Sequence, residues 1–167
     1  NYRYSNTRLL IVGMYEEHLD PVHQETLDNI KTNLAINDVG PKYGDDLLAY
    51  YAASDCFVFP SYREGFPNVV LEAGAMGLPS IVTDINGSNE IIIDGDNGVI
   101  IPPKDEITLQ KKMEFFINDS NYINKLKTNA REMIVNRYQR ELVWQALLNE
   151  YKLLEKENIS KRSKTHI

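Results

Sequence analysis

Cysteine is almost missing from this chain: Cys56 is the only one in 167 residues. A single thiol builds neither an intrachain disulfide framework nor a cysteine-rich metal site. Long apolar runs are absent too. No stretch reaches the roughly 20 apolar residues that a membrane-crossing helix needs, and no signal-peptide pattern is visible, so the expected location is cytoplasmic. Positive charge is scarce, with 18 Lys and Arg against 24 Asp and Glu and a net charge of −6. General nucleic-acid binding is thereby excluded, because neutralising phosphates needs a basic surface. Neither a Gly-x-Ser-x-Gly nucleophile turn nor a Gly-Lys-Ser/Thr phosphate loop occurs. His18 and His23 lack the i, i+4 spacing of a zinc pair and read as surface histidines. Asp94, Asp96 and Asn97 lack the spacing and closing Glu of an EF-hand. No repeat or low-complexity tract is present. What is there is a 43% hydrophobic content, enough for a proper core in a chain of one-domain length.

Strand-like and helix-like segments alternate over the first hundred residues. Apolar runs predict buried strands at 8–13, 34–39, 56–60, 80–83 and 98–101. Between them, helical spacing predicts helices over 21–33, 45–54 (with Asp45 as N-cap), 67–76 and a short one at 89–93. Gly40-Pro41-Lys42-Tyr43-Gly44 is a loop by composition, and Asp94 to Gly98 a tight turn. Three helices follow, at 105–118, 121–138 and 142 to about 156. Their expected inner residues are Ile107, Leu109, Met113 and Phe116, then Ile123, Leu126, Ala130, Met133 and Ile134, then Val143, Ala146, Leu147, Tyr151 and Leu154. Trp144 reads as core. The alternation predicts an α/β fold, a Rossmann-like parallel sheet of about five or six strands with helices on both faces. We take residues 1–158 as one domain and 159–167, with Lys161, Arg162 and Lys164, as a flexible basic tail.

The chemistry concentrates in Glu64-Gly65-Phe66-Pro67-Asn68-Val69-Val70-Leu71-Glu72. This is a strand-to-helix junction: Pro67 suits the first turn of a helix, and small Ala73, Gly74 and Ala75 allow close packing. Free N–H groups and the helix dipole favour an anion there, and Gly65 lets a ligand approach the backbone. Two carboxylates flanking an anion site suit hydroxyls on either side of a phosphate, as in a nucleotide sugar. Spacing alone also fits two ordinary acids, one complementing the dipole and one solvated.

These residues resemble the Glu-x7-Glu motif of the retaining, family-four glycosyltransferases of the two-domain GT-B fold. Ala53-Ser54-Asp55, Phe59-Pro60-Ser61, Leu71-Glu72-Ala73, Gly77-Leu78-Pro79, Thr83-Asp84, Asn86-Gly87, Glu90, Asp94-Gly95 and Asn97-Gly98 carry the likeness on, over roughly residues 7 to 155. The resemblance implies the C-terminal, donor-binding half of such an enzyme, hexosyltransferase-like and inactive without its N-terminal domain. It implies no metal and no cofactor. The donor is a nucleoside diphosphate sugar, UDP-linked, and the acceptor a glycan or lipid-linked glycan, in the style of bacterial capsule and surface-polysaccharide enzymes, with peripheral membrane contact at most. Glu64 would hold the donor sugar and act in catalysis. Gly65, Phe66, Pro67, Asn68 and Val69 would line the sugar and diphosphate, and Glu72 would accept the ribose hydroxyls. Glu90 would brace its loop, and Lys42 or Tyr43 would lie near the base. The family's last helix crosses back to pack on the other domain, which would leave some of its apolar face, with Trp144, unburied in this chain alone.

Two other readings stand beside this one. A sugar-nucleotide epimerase of the same fold would need acid and base residues in both halves, and the Glu-x7-Glu spacing argues against it. A non-catalytic nucleotide-sugar binding module would need the same junction without the transfer.

Overall fold

The computed structural model describes residues 4–16, 18 and 21–164, with side chains through Asn158. By its internal contacts the chain divides into two compact units, one up to Ser54 and one from Asp55 onward, where the sequence reading took one domain over 1–158.

The first unit pairs β1 (Leu9–Val12) in parallel with β2 (Ile36–Gly40), and joins them through α1 (Gln24–Thr32). The pairing runs from Leu9 opposite Ile36 and shifts register between Ile11 and Val12. α2 (Gly44–Ala52) follows. Its N-cap is Tyr43 rather than the expected Asp45, which lies with Asp46 in the first turn and complements the dipole there.

The second unit holds a parallel sheet in the order β3 (Phe57–Phe59), β4 (Ser80–Thr83), β5 (Gly98–Ile101). The register sets Phe57 against Ser80 and Ser80 against Gly98. The described residues thus give five strands in two sheets rather than one continuous sheet. β4 is central and buried throughout, with Ser80 and Thr83 at its ends and apolar Ile81 and Val82 between them.

Alternation along the strands sorts the core. Val82, with Phe57 and Phe59, packs on α3 (Asn68–Ala75), α4 (Ser88–Ile91) and the later part of α6 (Ser120–Tyr138), through Val70, Ile91, Met133 and Ile134. Ile81, Val99 and Ile101 face the other way, onto Phe116 of α5 (Glu106–Asn118) and Leu126 of α6. Each fully buried aliphatic side chain contributes about 1.5–3 kcal/mol. α3 and α6 approach closely at Gly74, where an added Cβ would stand 2.7 Å from Cγ1 of Ile134. Asn97 is buried and braces the turn before β5: its Oδ1 accepts the Ile93 N–H at 2.7 Å, and its amide donates to the Ile91 carbonyl at 3.2 Å. Asp94 and Asp96 serve the same turn, accepting from Ile100 N–H and from Asn129.

Asp105 caps α5 by accepting the Thr108 N–H at 2.9 Å and the Thr108 hydroxyl at 2.7 Å. The N–H bond first, then the hydroxyl, hold its carboxyl below the usual carboxylate range. A depressed folded-state value stabilises above the unfolded one and is lost as pH falls through the folded one. Asp105→Ala is therefore expected to lower the melting temperature at pH 7, and the gap to the parent should narrow at an acid pH below the depressed folded-state value. Melts followed by circular dichroism at both pH values check this; a gap that persists in acid removes the charge from the explanation.

Three expectations for the late helices are corrected. Ile107 is 60% exposed, because the inner stripe of α5 runs through Leu109, Met113 and Phe116. α7 (Arg140–Lys164) runs past its expected end at about Lys156 as far as Lys164, with side chains described through Asn158. Val143, Leu147, Tyr151 and Leu154 are exposed, and so is Trp144 at 58%. Trp144 is no core residue: its ring sits under the Arg140 guanidinium at 4.6 Å.

Candidate functional site

The site lies in the second unit, at the carboxyl ends of β3 and β4, where parallel sheets open their ligand crevices. Residues 60–67 leave β3 and enter α3; residues 84–87 leave β4 and enter α4. Two contacts tie these loops together, and a third braces the first loop from beyond β5. The Thr83 hydroxyl, at the end of β4, donates to the Ser61 carbonyl. Gly87, the N-cap of α4 with φ 78°, lies so close to the first loop that a Cβ there would meet Phe66 Cα at 2.9 Å and Pro67 Cδ at 2.8 Å. Beyond β5, Lys104 adopts φ 59°, the one non-glycine residue among those described with positive φ, and sets its ammonium over the Tyr62 ring at 4.8 Å. Asn89 donates to Asp84 at 2.9 Å and fixes the second loop on itself.

Glu64 is half-buried, and the Ser61 hydroxyl donates to its Oε1 at 3.0 Å. That bond leads one carboxylate oxygen back to the strand end and restrains the side chain. Gly65 is exposed, Phe66 is 44% exposed, and Pro67 is buried. Pro67 is the N-cap of α3, one residue before the helical position expected for it. Its backbone is extended while its carbonyl already accepts the Val70 N–H at 3.1 Å. Asn68 and Val69 therefore form the N-terminal turn, where the positive end of the dipole lies. Asn68 and Glu72, four apart and both exposed, share a face of the helix. The structure thus gathers Glu64 to Val69 at one loop-and-helix junction and sets Glu72 one turn further along. Lys42 and Tyr43 belong to the first unit, where Lys42 lies 6.0 Å from the Tyr50 ring centroid. Among the described residues no group of three or more His, Cys, Asp or Glu side chains is arranged to hold a metal ion. No helix there is long and apolar enough to cross a membrane.

Gly65 is unusual among the nine glycines. Six have positive φ, and Gly74 and Gly98 abut atoms that a Cβ would strike. Gly65 has neither constraint: a Cβ there would meet nothing within 4 Å.

The family described as "Glycosyl transferases group 1" matches residues 1–133. This chain belongs to the group 1 glycosyl transferase family. A similar curated protein is the capsular polysaccharide biosynthesis glycosyltransferase CapM of Staphylococcus aureus, 30% identical over 156 residues, which cover 93% of this chain and 40% of CapM. The chain thus spans about two-fifths of that relative's length. Among solved structures, a glycosyltransferase from Rickettsia africae superposes with a TM-score of 0.78 at 26% identity, over 90% of this chain and 41% of that one. HepE of Anabaena, solved in complex with UDP, gives 0.77 at 21% identity, over 87% and 41%. The expected α/β architecture, parallel strands flanked by helices as in GT-B glycosyltransferases, is therefore present, with its five strands in two sheets.

The sequence reading assigned no role to several residues that shape this candidate site. Ser61 entered only as part of the likeness, yet it restrains Glu64. Thr83 and Gly87 were quoted for the likeness alone, although one ties the two loops and the other abuts the motif. Tyr138, which packs on Phe66 with ring centroids 5.8 Å apart, gave no local signal at all.

Proposed function

We propose that this chain binds the nucleoside diphosphate sugar donor of a retaining, family-four glycosyltransferase, with UDP as the nucleotide. It would act as the C-terminal half of a longer cytoplasmic enzyme that extends a glycan or lipid-linked acceptor in bacterial surface-polysaccharide synthesis. The observation that carries this reading is Gly65: the fold requires no glycine there, and a bare backbone beside a helix N-terminus is what a close-approaching diphosphate needs. In this reading Glu64, already held by Ser61, accepts the donor sugar's hydroxyls. Along the Gly65 to Val69 backbone, the N–H groups of Gly65, Phe66 and Asn68 face the diphosphate and stabilise charge on the leaving oxygens as the sugar–phosphate bond breaks. Glu72, on the face shared with Asn68, accepts the ribose hydroxyls. No metal or cofactor takes part. The capsular role of CapM and the UDP bound to HepE support the pathway class and the nucleotide.

The test is a titration of the chain with UDP, GDP and ADP, followed by amide NMR shifts. UDP is expected to move the Gly65, Phe66 and Asn68 amides at millimolar concentration, and Glu72→Ala to abolish the effect. Shifts confined to residues outside 64–72 would sink the assignment, and a response to GDP or ADP instead would replace the nucleotide.

A further inference from the structure

Resting on that donor-site reading, we propose that Tyr138 is a positioning residue that holds the Gly65–Pro67 backbone in its donor-binding conformation. Gly65 is the loop's freest backbone position, while Pro67 is fixed in φ and buried. The path of the loop therefore depends on what the side chain between them rests on. That side chain is Phe66, and its ring packs against Tyr138 at a 57° tilt with centroids 5.8 Å apart, a favourable aromatic geometry. Phe66 remains 44% exposed and forms one wall of an open groove of about 680 Å³, shared with Leu71, Tyr138, Leu142, Val143 and Leu147. An open groove on one side leaves the Tyr138 ring as a principal support.

Tyr138 also reaches the loop by a second route. Its hydroxyl donates to the Glu90 carbonyl at 3.1 Å, and Glu90 lies on α4. The N-cap of α4 is Gly87, the residue that abuts Phe66 Cα and Pro67 Cδ. The ring thus supports the loop directly, and the hydroxyl supports it through α4. The Arg137 guanidinium, 5.1 Å from the ring centroid, covers the tyrosine itself. Tyr138 is the last residue of α6; the backbone leaves helical geometry at Gln139 (φ −56°, ψ 133°) before α7 begins. The residue that ends one helix is therefore also the stop against which the motif loop is set.

The experiment compares the parent chain with Tyr138→Leu and Tyr138→Phe, with and without UDP. In the ligand-free chain, Tyr138→Leu is expected to shift the Gly65 and Phe66 amides while Val99 and Ile101, in the core, stay in place. UDP affinity should fall about 3- to 10-fold, the equivalent of one lost aromatic pair. Tyr138→Phe keeps the ring and should restore affinity to within about twofold of the parent, because the ring contact is the direct one. It should still shift the Gly87 and Glu90 amides through the lost hydroxyl. Unmoved Gly65 and Phe66 amides in Tyr138→Leu, or movement only in step with Val99 and Ile101, overturns the proposal. If Tyr138→Leu does not fold, Tyr138→Phe decides: unmoved amides at Gly87, Glu90 and Phe66 overturn it. A parent chain that ignores UDP contradicts the donor reading, while the ligand-free shifts still judge Tyr138.

Discussion

Glu64→Ala is expected to reduce sugar transfer by about 100-fold or more in the longer enzyme proposed above, with much less effect on UDP affinity. In the proposed role Glu64 touches the sugar, and bare UDP offers none. Ser61 holds Oε1 at 3.0 Å, so the carboxylate meets the donor in a set position rather than paying for order on binding. Glu72→Ala should show the opposite split. It removes an acceptor for the ribose, which UDP and the UDP-sugar share, so both bind more weakly. Glu64→Gln refines the result: it keeps one acceptor oxygen and loses the charge, and should fall between the parent and the alanine variant. Transfer kinetics and UDP titration on the same three variants give the comparison. Equal losses for Glu64→Ala and Glu72→Ala in both assays would remove the division of labour, and no loss in either would remove the site.

Gly87→Ala carries the largest expected effect on stability, about 2–4 kcal/mol. Two costs add. The backbone at φ 78° disfavours any Cβ, and the new methyl would press on the Gly65 carbonyl, Phe66 Cα and Pro67 Cδ. Backbone yields less readily than a flexible side chain, so either the 65–67 loop or α4 must move. Gly77→Ala is the control. Its φ of 80° is nearly the same, but a Cβ there meets nothing within 4 Å. It should lose only the conformational part, about 1–2 kcal/mol. Urea unfolding of both variants separates the two costs. Gly87→Ala should also lose UDP binding under conditions where it remains folded, because the displaced loop is the proposed diphosphate cradle. Equal stability losses for the two variants would show that Gly87 is there for its backbone angle alone.

The elements that were easiest to read are those whose signal is continuous and local. β4 and β5 fall on the residues expected, 80–83 and 98–101, since short segments rich in β-branched residues and bounded by turn residues leave little choice. Helix ends were less legible where two signals compete. Asp45 has the chemistry of an N-cap, but α2 already begins at Gly44 behind an extended Tyr43. At α5 the cap chemistry and the geometry agree, and Asp105 caps as its residue type suggests. Ile107 shows the limit of helical spacing: it lies two positions before Leu109, about 160° round the wheel from it, and so turns to solvent.

The sequence by itself determined the alternation of strands and helices, the strand-to-helix junction at 64–72 and the family to which that junction points. All three depend on neighbours within a few positions, where period, turn chemistry and motif spacing are set. Only the tertiary structure decided the division into two sheets, the exposure of Trp144 and the α7 stripe, and the supports of the site. Thr83 meets Ser61 across 22 positions and Tyr138 meets Glu90 across 48. Periodicity shows which face of a helix is apolar, but what covers that face is fixed by the packing of distant segments, and no local pattern encodes it.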